Sequence, residues 1–132
     1  SEPERGIRTE IEPGLRAYGD STLLRAVLEN LLGNSWKYTR RRDDALIRFR
    51  SVPGTESRRR FAVEDNGAGF DMSFATKLFG AFQRLHHMEE FEGNGIGLAT
   101  VKRILERHGG SIEGHGEVGK GATFVFELPQ PW

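Results

Sequence analysis

The chain has 132 residues, no cysteine, and 19 basic residues balanced by 19 acidic ones. This length fits one domain with a single core, and the lack of cysteine excludes disulfides and thiolate chemistry within it. The balanced charge creates no overall field for nucleic acid or an anionic membrane, so partners must be recognised by a local site. No apolar run reaches the roughly 18 residues of a membrane span, and we expect no signal peptide.

The first 20 residues are predicted to form an exposed β-hairpin. Ile7, Thr9 and Ile11 alternate with charged residues, and Pro13-Gly14 supplies a turn. Residues 15–18 are predicted to return as the second strand.

A helix is predicted from about Ser21 to Thr39, with Asp20 as its N-cap. Apolar residues that recur every three or four positions mark its buried side: Leu24, Val27, Leu28, Leu31 and Tyr38.

A polar stripe runs along one flank of this helix. Asn30, Asn34 and Lys37 fall within roughly 60° of one another at 100° per residue. Asparagine is a poor residue for a helix interior, so two of them four apart indicate either a solvated face or a ligand-binding flank. This pattern alone leaves both interpretations open.

Two antiparallel strands are predicted after a charged, solvated loop at residues 40–44. They cover Ala45 to Val52 and Arg58 to Asp65. Asp65 is in phase with Phe61 and Val63, so its carboxylate is predicted to face the buried side. The sequence DNG that begins at Asp65 is typical both of a turn and of a ligand-binding group beside a glycine.

Residues 79–93 lack clear periodicity. Phe74 to Leu78 is predicted as a short helix, and the long segment after it as a mobile lid. His86 and His87 are interpreted as polar surface residues and not as metal ligands, because no third ligand lies at a useful spacing.

The sequence EGNGIGLATVKRILER, which begins at Glu92, is a glycine-rich loop that leads into a helix. Gly93, Gly95 and Gly97 permit close approach of a ligand to free N–H groups at the start of a helix predicted over Ile96 to His108. A phosphate site and an ordinary capped loop both fit this pattern. The dinucleotide fingerprint is excluded by the glycine spacing, and a Walker A match at residues 114–121 is excluded because a strand follows it.

A final antiparallel pair is predicted over Ser111 to Glu117 and Ala122 to Leu128. Helices on one side of an antiparallel-rich sheet predict an α+β fold, a two-layer sandwich, in one domain that spans residues 1–132. Because the opening SEPERGIRTE is loop-like, we expect this domain to be one module of a longer protein.

In this order and at these separations, the motifs resemble the ATP-binding catalytic domain of bacterial sensor histidine kinases, of the Bergerat or GHKL fold. They are ENLLGNSWKYT (N box), DNGAGF and GNGIGLA (glycine boxes), FGAFQRLH (F box) and GKGATF near the end. The resemblance covers nearly all of the chain. Within the family, the motifs are most similar to those of phytochrome-like or PAS-linked kinases. It implies a mixed, mainly antiparallel sheet covered on one face by about three helices.

The resemblance implies Mg-ATP as the ligand. Asn34 is expected to coordinate Mg²⁺ and Asn30 to assist, with Lys37 and Tyr38 beside the phosphates or ribose; Asn30 and Lys37 are the expected catalytic residues. Asp65 is expected to accept a hydrogen bond from the adenine 6-amino group. The remaining residues expected at the nucleotide are Gly67 and Gly69, which give the base room, Phe70, the phosphate-binding segment Gly93, Asn94, Gly95, Ile96, Gly97 and Leu98, and Thr123, which supports adenine recognition.

The resemblance further implies transfer of the γ-phosphate to a histidine on a dimerisation domain that is absent from this chain, with a response regulator downstream. ATPase relatives carry a glutamate that activates water where this chain has Asn30, so we expect slow hydrolysis. Ser35 stands where the family usually has alanine. The expected setting is the cytoplasm, with a monomeric isolated domain, a homodimeric parent, and no contact with nucleic acid or membrane. The alternatives are a nucleotide sensor without transfer and a Ser/Thr protein kinase of the same fold.

Overall fold

A computed structural model of the protein describes residues 6–73, 78–79 and 96–130. Within these ranges the chain forms five strands and two α-helices: β1 (Ile7–Ile11), α1 (Ser21–Tyr38), β2 (Ala45–Val52), β3 (Arg58–Asp65), α2 (Ile96–Arg107), β4 (Ser111–Glu117) and β5 (Gly121–Pro129). The predicted helices and the last four strands end within one residue of their expected positions. The short helix predicted at Phe74 to Leu78, the lid, His86 and His87 lie outside the described residues, apart from Leu78 and Phe79.

The strands form one sheet in the order β1-β2-β3-β5-β4. β1 and β2 are parallel, and the other three neighbouring pairs are antiparallel. Both described helices pack on the same face of this sheet, so the prediction of a two-layer α+β sandwich is confirmed. Neither helix in the described ranges has the length and apolarity needed to cross a membrane.

The core lies between the helices and the sheet. Val27 and Leu31 of α1 pack there with α2 residues that include Val101 and Leu105. The sheet contributes an aromatic layer, in which the rings of Phe61 and Phe126 stack at 5.3 Å. Burial of these side chains is what holds both helices onto the sheet, because each apolar side chain removed from water stabilises the fold by about 1.5–3 kcal/mol.

The hairpin predicted for the first 20 residues is wrong. β1 pairs in parallel with β2, in a register from Ile7↔Ala45 to Ile11↔Phe49, and residues 15–18 form no strand. The Glu12 carboxylate accepts from the Ser51 backbone N–H at 3.0 Å and binds the end of β1 to β2. The chain then crosses to the helix side, where Leu15 packs against the core. Alternation identified the strand, but it carries no information on which strand is its partner.

α1 begins and ends as its caps require. The Asp20 carboxylate accepts from the Leu23 N–H at 2.9 Å, and Thr39 is the C-cap. The buried residues of α1 are Val27, Leu31 and Ser35, at a spacing of four. Ser35 is therefore a polar residue at the C-terminal end of the buried stripe, which the prediction had assigned to apolar residues alone.

The outer face of the sheet is polar and carries ion pairs. Glu64 binds Arg50 at 2.7 Å, and Glu10 binds Arg48 at 2.7 Å. Exposed ion pairs of this kind contribute only about 0–1 kcal/mol each to the stability of the fold. They do show which face of β3 is polar. Glu64 faces solvent, whereas Asp65 faces the helices.

Candidate functional site

Asp65 lies at the end of β3 with its carboxylate on the helix side, as predicted. Oδ2 accepts from the Ser35 hydroxyl at 2.9 Å, and Oδ1 accepts from the Gly67 N–H at 2.9 Å. Burial raises the pKa of Asp65 above its ordinary value, and hydrogen bonds from Gly67, Ser35 and the Ala122 backbone partly oppose that rise. A carboxylate with these donors remains able to accept further hydrogen bonds on its free lone pairs.

The loop that follows Asp65 is fixed by three neighbouring elements. Asn66 accepts from the Leu46 N–H at 2.8 Å and donates to the Asp44 carbonyl at 2.9 Å. Ala68 donates its N–H to the carbonyl of Tyr38 at the end of α1, also at 2.9 Å. The turn between β4 and β5 holds the loop from a third side, through an N–H···O bond of 2.8 Å onto Ala68. These bonds hold the site rigidly at this end of the sheet.

Gly67 and Gly69 are required by the packing of this loop. A Cβ on Gly67 would collide with the carbonyl oxygen of Tyr38, and one on Gly69 would collide with that of Glu117. Gly69 also has a φ of 68°, in the left-handed region. Close approach of the loop to α1 is thus a reason for Gly67 that holds without any ligand.

Phe70 belongs to the core. It is 1% exposed, and its ring lies 6.1 Å from that of Phe124. The structure therefore gives the Phe70 side chain a packing role in the core.

The polar stripe of α1 is half-buried and meets the start of α2. Asn30 donates its Nδ2 to the Ala26 carbonyl at 2.8 Å, which leaves its Oδ1 directed at Gly97. A Cβ on Gly97 would lie 2.8 Å from that oxygen, so the glycine permits this close approach of the two helices. Within the described ranges, the Asn34 amide has no hydrogen-bond partner and Lys37 forms no ion pair.

The N-terminus of α2 lies beside this stripe. The helix begins at Ile96, so the N–H groups of Gly97 and Leu98 are in its first turn and have no acceptor within the helix. The Leu98 side chain is 5% exposed and packs in the core, so only its backbone faces the site. Gly93, Asn94, Gly95 and the Ile96 side chain lie outside the described residues.

The structure places Thr123 on the face of β5 opposite the one on which Asp65 lies. Ala122 and Phe124 are buried on the helix side of β5, so the alternation of the strand directs Thr123 to the opposite face. There it is in register with Glu64 and His115. Ala122 is the β5 residue in register with Asp65, which the sequence reasoning missed by one position.

Known proteins match this architecture. The model of the family described as "Histidine kinase-, DNA gyrase B-, and HSP90-like ATPase" matches residues 19–131. The chain belongs to this family. Its type is the ATP-binding catalytic domain of histidine kinases, as the following similarities show.

Two relatives illustrate the histidine-kinase type. Cyanobacterial phytochrome A of Nostoc is 36% identical over 126 residues, which are 96% of this chain and 16% of that protein. The methanogenesis regulatory histidine kinase FilI of Methanothrix harundinacea is 39% identical over 128 residues, 96% of this chain and 14% of that protein. This histidine-kinase domain therefore spans about a sixth of the length of these relatives.

Solved structures agree. Full-length ShkA in complex with AMPPNP has a TM-score of 0.78 at 32% identity, over 96% of this chain and 26% of that one. The mycobacterial sensor histidine kinase MprB has a TM-score of 0.77 over 93% of this chain and 82% of that one; its 22% identity supports the fold alone.

One residue of this histidine-kinase domain was noticed in the sequence without being given a role. Ser35 differs from the usual alanine, and the structure shows that it is 1% exposed and bonded to Asp65. Its spacing of four from Leu31 and eight from Val27 was the available signal. A hydroxyl on a buried stripe needs an acceptor, because an unpaired buried polar group is costly.

Proposed function

We propose that this domain binds ATP with Mg²⁺ and transfers the γ-phosphate to a histidine on a separate dimerisation domain. The observation that carries the proposal is Asp65, an inward-facing carboxylate held by donors from α1 and from its own loop. Such a group is an acceptor for an amino group, and the 6-amino group of adenine supplies one where guanine has a carbonyl. Gly67 and Gly69 keep the loop beside the base free of side chains.

The phosphates would bind at the first turn of α2. Free N–H groups and the positive end of the helix dipole favour anions at such a position. Gly97 and Leu98 would contribute backbone donors, and Gly93, Asn94, Gly95 and Ile96 the rest of the loop. Asn30, which lies close to Gly97, is five residues before Ser35, or about 7.5 Å along α1. The helix would thus extend from the base to the phosphates, with Lys37 and Tyr38 beside the ribose and phosphates.

The residues of the α1 flank fit a magnesium ion. Mg²⁺ prefers oxygen ligands and usually keeps several waters and substrate phosphates around it. Among the described residues, neither the Asn34 amide nor Oδ1 of Asn30 has a hydrogen-bond partner. No cluster of three His, Cys, Asp or Glu side chains occurs in the described ranges, so the nucleotide would supply most of the charge. When bound, Mg²⁺ neutralises charge that develops on the phosphates.

Transfer to a protein fits this site better than hydrolysis. The Asn30 amide cannot accept a proton from water, so the site lacks the base that a glutamate there would supply. Phosphoryl transfer depends mainly on positioning and charge stabilisation, and Lys37 is the cation available on the α1 flank. An acceptor held in line by another domain would therefore react faster than water.

The acceptor would lie outside this domain. Both ring nitrogens of His108 make hydrogen bonds, to the Asp20 N–H and the Ile104 carbonyl, and His115 binds Glu113 at 2.8 Å. The relatives are roughly six times longer than this chain, which leaves room for a dimerisation domain and a response-regulator interaction. The domain alone would be monomeric, the parent a cytoplasmic-facing homodimer, and neither nucleic acid nor membrane would contact this domain.

Nucleotide affinities of Asp65→Asn test the proposal. A hydrogen bond to a charged group is worth about 1.5–3 kcal/mol, so ATP affinity should fall about 10- to 150-fold, and the preference for ATP over GTP should fall with it. Glu64→Gln is the matched control, because it changes the adjacent carboxylate on the opposite face of β3. Titration calorimetry should show that this variant binds like the unmutated domain. Equal affinity of the unmutated domain for ATP and GTP would refute the base site.

A further inference from the structure

Ser35 connects the buried stripe of α1 to the ligand-facing end of β3. It is 1% exposed, it follows Val27 and Leu31 at a spacing of four, and its hydroxyl donates to Oδ2 of Asp65 at 2.9 Å. The Ser35 side chain is therefore shielded from solvent. Its proton is therefore committed to the carboxylate.

The two oxygens of Asp65 are held from different elements. Oδ1 is bound by the Gly67 N–H, which belongs to the loop after β3, and Oδ2 by Ser35 of α1. Bonds to both oxygens fix the plane of the carboxylate. An alanine at position 35 would leave the Oδ2 side without this donor, and the terminal torsion of an aspartate is otherwise broad.

We propose that Ser35 is a specificity-positioning residue for the base: its hydroxyl fixes and keeps ionised the Asp65 carboxylate, so that the site accepts a purine with a 6-amino group and rejects one with a 6-carbonyl. This inference rests on the proposed function, because it assumes that Asp65 faces the base. Ser35 acts through Asp65, so it is a positioning residue and not a catalytic one.

The hydrogen bond from Ser35 determines which group on the base Asp65 prefers. A donor to the ionised carboxylate favours that form, and an ionised carboxylate can only accept. It therefore pairs with an amino group and repels a carbonyl oxygen. A protonated carboxyl would donate to a carbonyl and lose this discrimination.

Other charged groups near Asp65 are not bonded to it. The elements around it carry charged side chains on α1, β2, β3 and the β4–β5 turn, and none of these is a hydrogen-bond partner of the carboxylate among the described residues: Lys37, Arg48, Glu64, Glu117 and Lys120. Glu64 and Arg48 are on the opposite sheet face, in ion pairs with Arg50 and Glu10. Burial, which raises the pKa of Asp65, is therefore opposed mainly by its hydrogen-bond donors, and Ser35 is the one side chain among those that the described ranges contain.

The test compares Ser35→Ala with Thr39→Val. Thr39 is also fully buried at the end of α1, but its hydroxyl donates to the carbonyls of Ser35 and Trp36. Each variant loses one buried hydroxyl from the same helix end, so a general weakening of the helix would affect both alike. Ser35→Cys, which keeps a weak donor, replaces Ser35→Ala if that variant does not fold.

The first measurement uses the nucleotide-free domain. Carbon-13 NMR of the Asp65 carboxyl should show that it titrates at higher pH in Ser35→Ala than in the unmutated domain, and at unchanged pH in Thr39→Val. An unchanged titration in Ser35→Ala would overturn the inference. This result is independent of whether the domain binds ATP.

The second measurement is affinity for ATP and ITP, which differ at position 6 of the base. We expect ATP binding to fall about tenfold in Ser35→Ala, the preference for ATP over ITP to narrow, and the acid limb of ATP binding to move to higher pH. Thr39→Val should keep the preference and the acid limb. If Asp65→Asn abolishes selective binding while Ser35→Ala preserves it, the proposed function stands and this inference fails. If Asp65→Asn has no effect on selectivity, the proposed function itself fails.

Discussion

Asp65, the proposed base-binding residue, carries a burial cost in the folded state. Its pKa in the folded state is raised, chiefly by burial, above the ordinary carboxyl value. The folded state therefore holds this proton more tightly than the unfolded state does. Stability contributed by this group is greatest at low pH and is lost as pH rises from the unfolded pKa through the raised folded pKa. The penalty is therefore larger at neutral than at acidic pH.

We predict that Asp65→Asn is at least as stable as the unmutated domain at pH 7, although it loses ATP affinity. The neutral amide avoids the burial penalty and can still bond Ser35 and Gly67. The difference in melting temperature should shrink as pH falls toward 4, where the carboxyl is increasingly protonated in both states. A melting temperature several degrees lower for the variant at pH 7 would show that Asp65 is a structural residue.

Asn34→Ala should reduce magnesium-dependent ATP affinity with little loss of stability. Asn34 is half-buried on the polar flank and has no hydrogen-bond partner among the described residues, so its removal leaves no donor or acceptor unpaired there. Calorimetry with Mg²⁺ and with EDTA, together with thermal melting, separates the two effects. Asn66→Ala is the contrasting variant, because both polar atoms of Asn66 bond the backbone of β2 and its preceding turn. It should lower the melting temperature; an Asn34→Ala variant that melts as early would mean that Asn34 is structural.

At the scale of elements, His108 joins the end of α2 to the start of α1. The Asp20 N–H donates to its Nε2 at 3.0 Å, and its Nδ1 bonds the Ile104 carbonyl at 2.9 Å, which requires the neutral ring with the proton on Nδ1. Gly19 permits this contact, because a Cβ there would lie 2.7 Å from the imidazole and 2.7 Å from Leu24.

Gly19→Ala should therefore destabilise the domain by about 1–3 kcal/mol, the usual range for added volume at a packed contact. Gly33→Ala is the matched control: Gly33 is inside α1, and a Cβ there would meet no described atom within 4 Å. It should stabilise the domain by about 0.5–1 kcal/mol, because alanine is the better helix former. Urea unfolding of both variants measures these changes, and a neutral Gly19→Ala would contradict the tight contact with His108.

The helices and strands were predicted well from the sequence, because the spacing of apolar residues differs between a helix and a strand and is visible within each element. The caps Asp20 and Gly109 determine helix ends, and Phe61 and Val63 determine which face of β3 is buried. Which strands pair with each other was harder to predict from the sequence. β1 looked like half of a hairpin, yet its partner is β2, more than 30 residues later. Nothing in five alternating residues specifies a distant partner.

The candidate site also has features that local sequence predicted and features that only the tertiary structure shows. The inward orientation of Asp65 followed from its phase in β3, and the α1 stripe from helical spacing. The hydrogen bond between Ser35 and Asp65 joins elements 30 residues apart, so it needed the tertiary structure. The outward orientation of Thr123 was not predicted, because a shift of one residue in a strand changes the face on which a side chain lies.

At the scale of the whole molecule, the proposed function makes this domain the donor half of a phosphoryl transfer. In that proposal α1 connects a base end at Asp65 to a phosphate end at Gly97, and the described histidines His108 and His115 each make a hydrogen bond within the domain. Because positioning supplies most of the catalysis, the acceptor must be brought by another domain.

Phosphoryl transfer to the dimerisation domain of the parent protein tests this account most directly. With γ-labelled ATP and Mg²⁺, the domain alone should hydrolyse slowly and acquire almost no label, and should label the added dimerisation domain in trans. The label should be acid-labile and alkali-stable, as phosphohistidine is, and it should be lost with Asp65→Asn but retained with Glu64→Gln. Strong labelling of this chain itself, or an acid-stable label on the partner, would contradict the account and favour a Ser/Thr kinase; binding without any transfer would favour a nucleotide sensor.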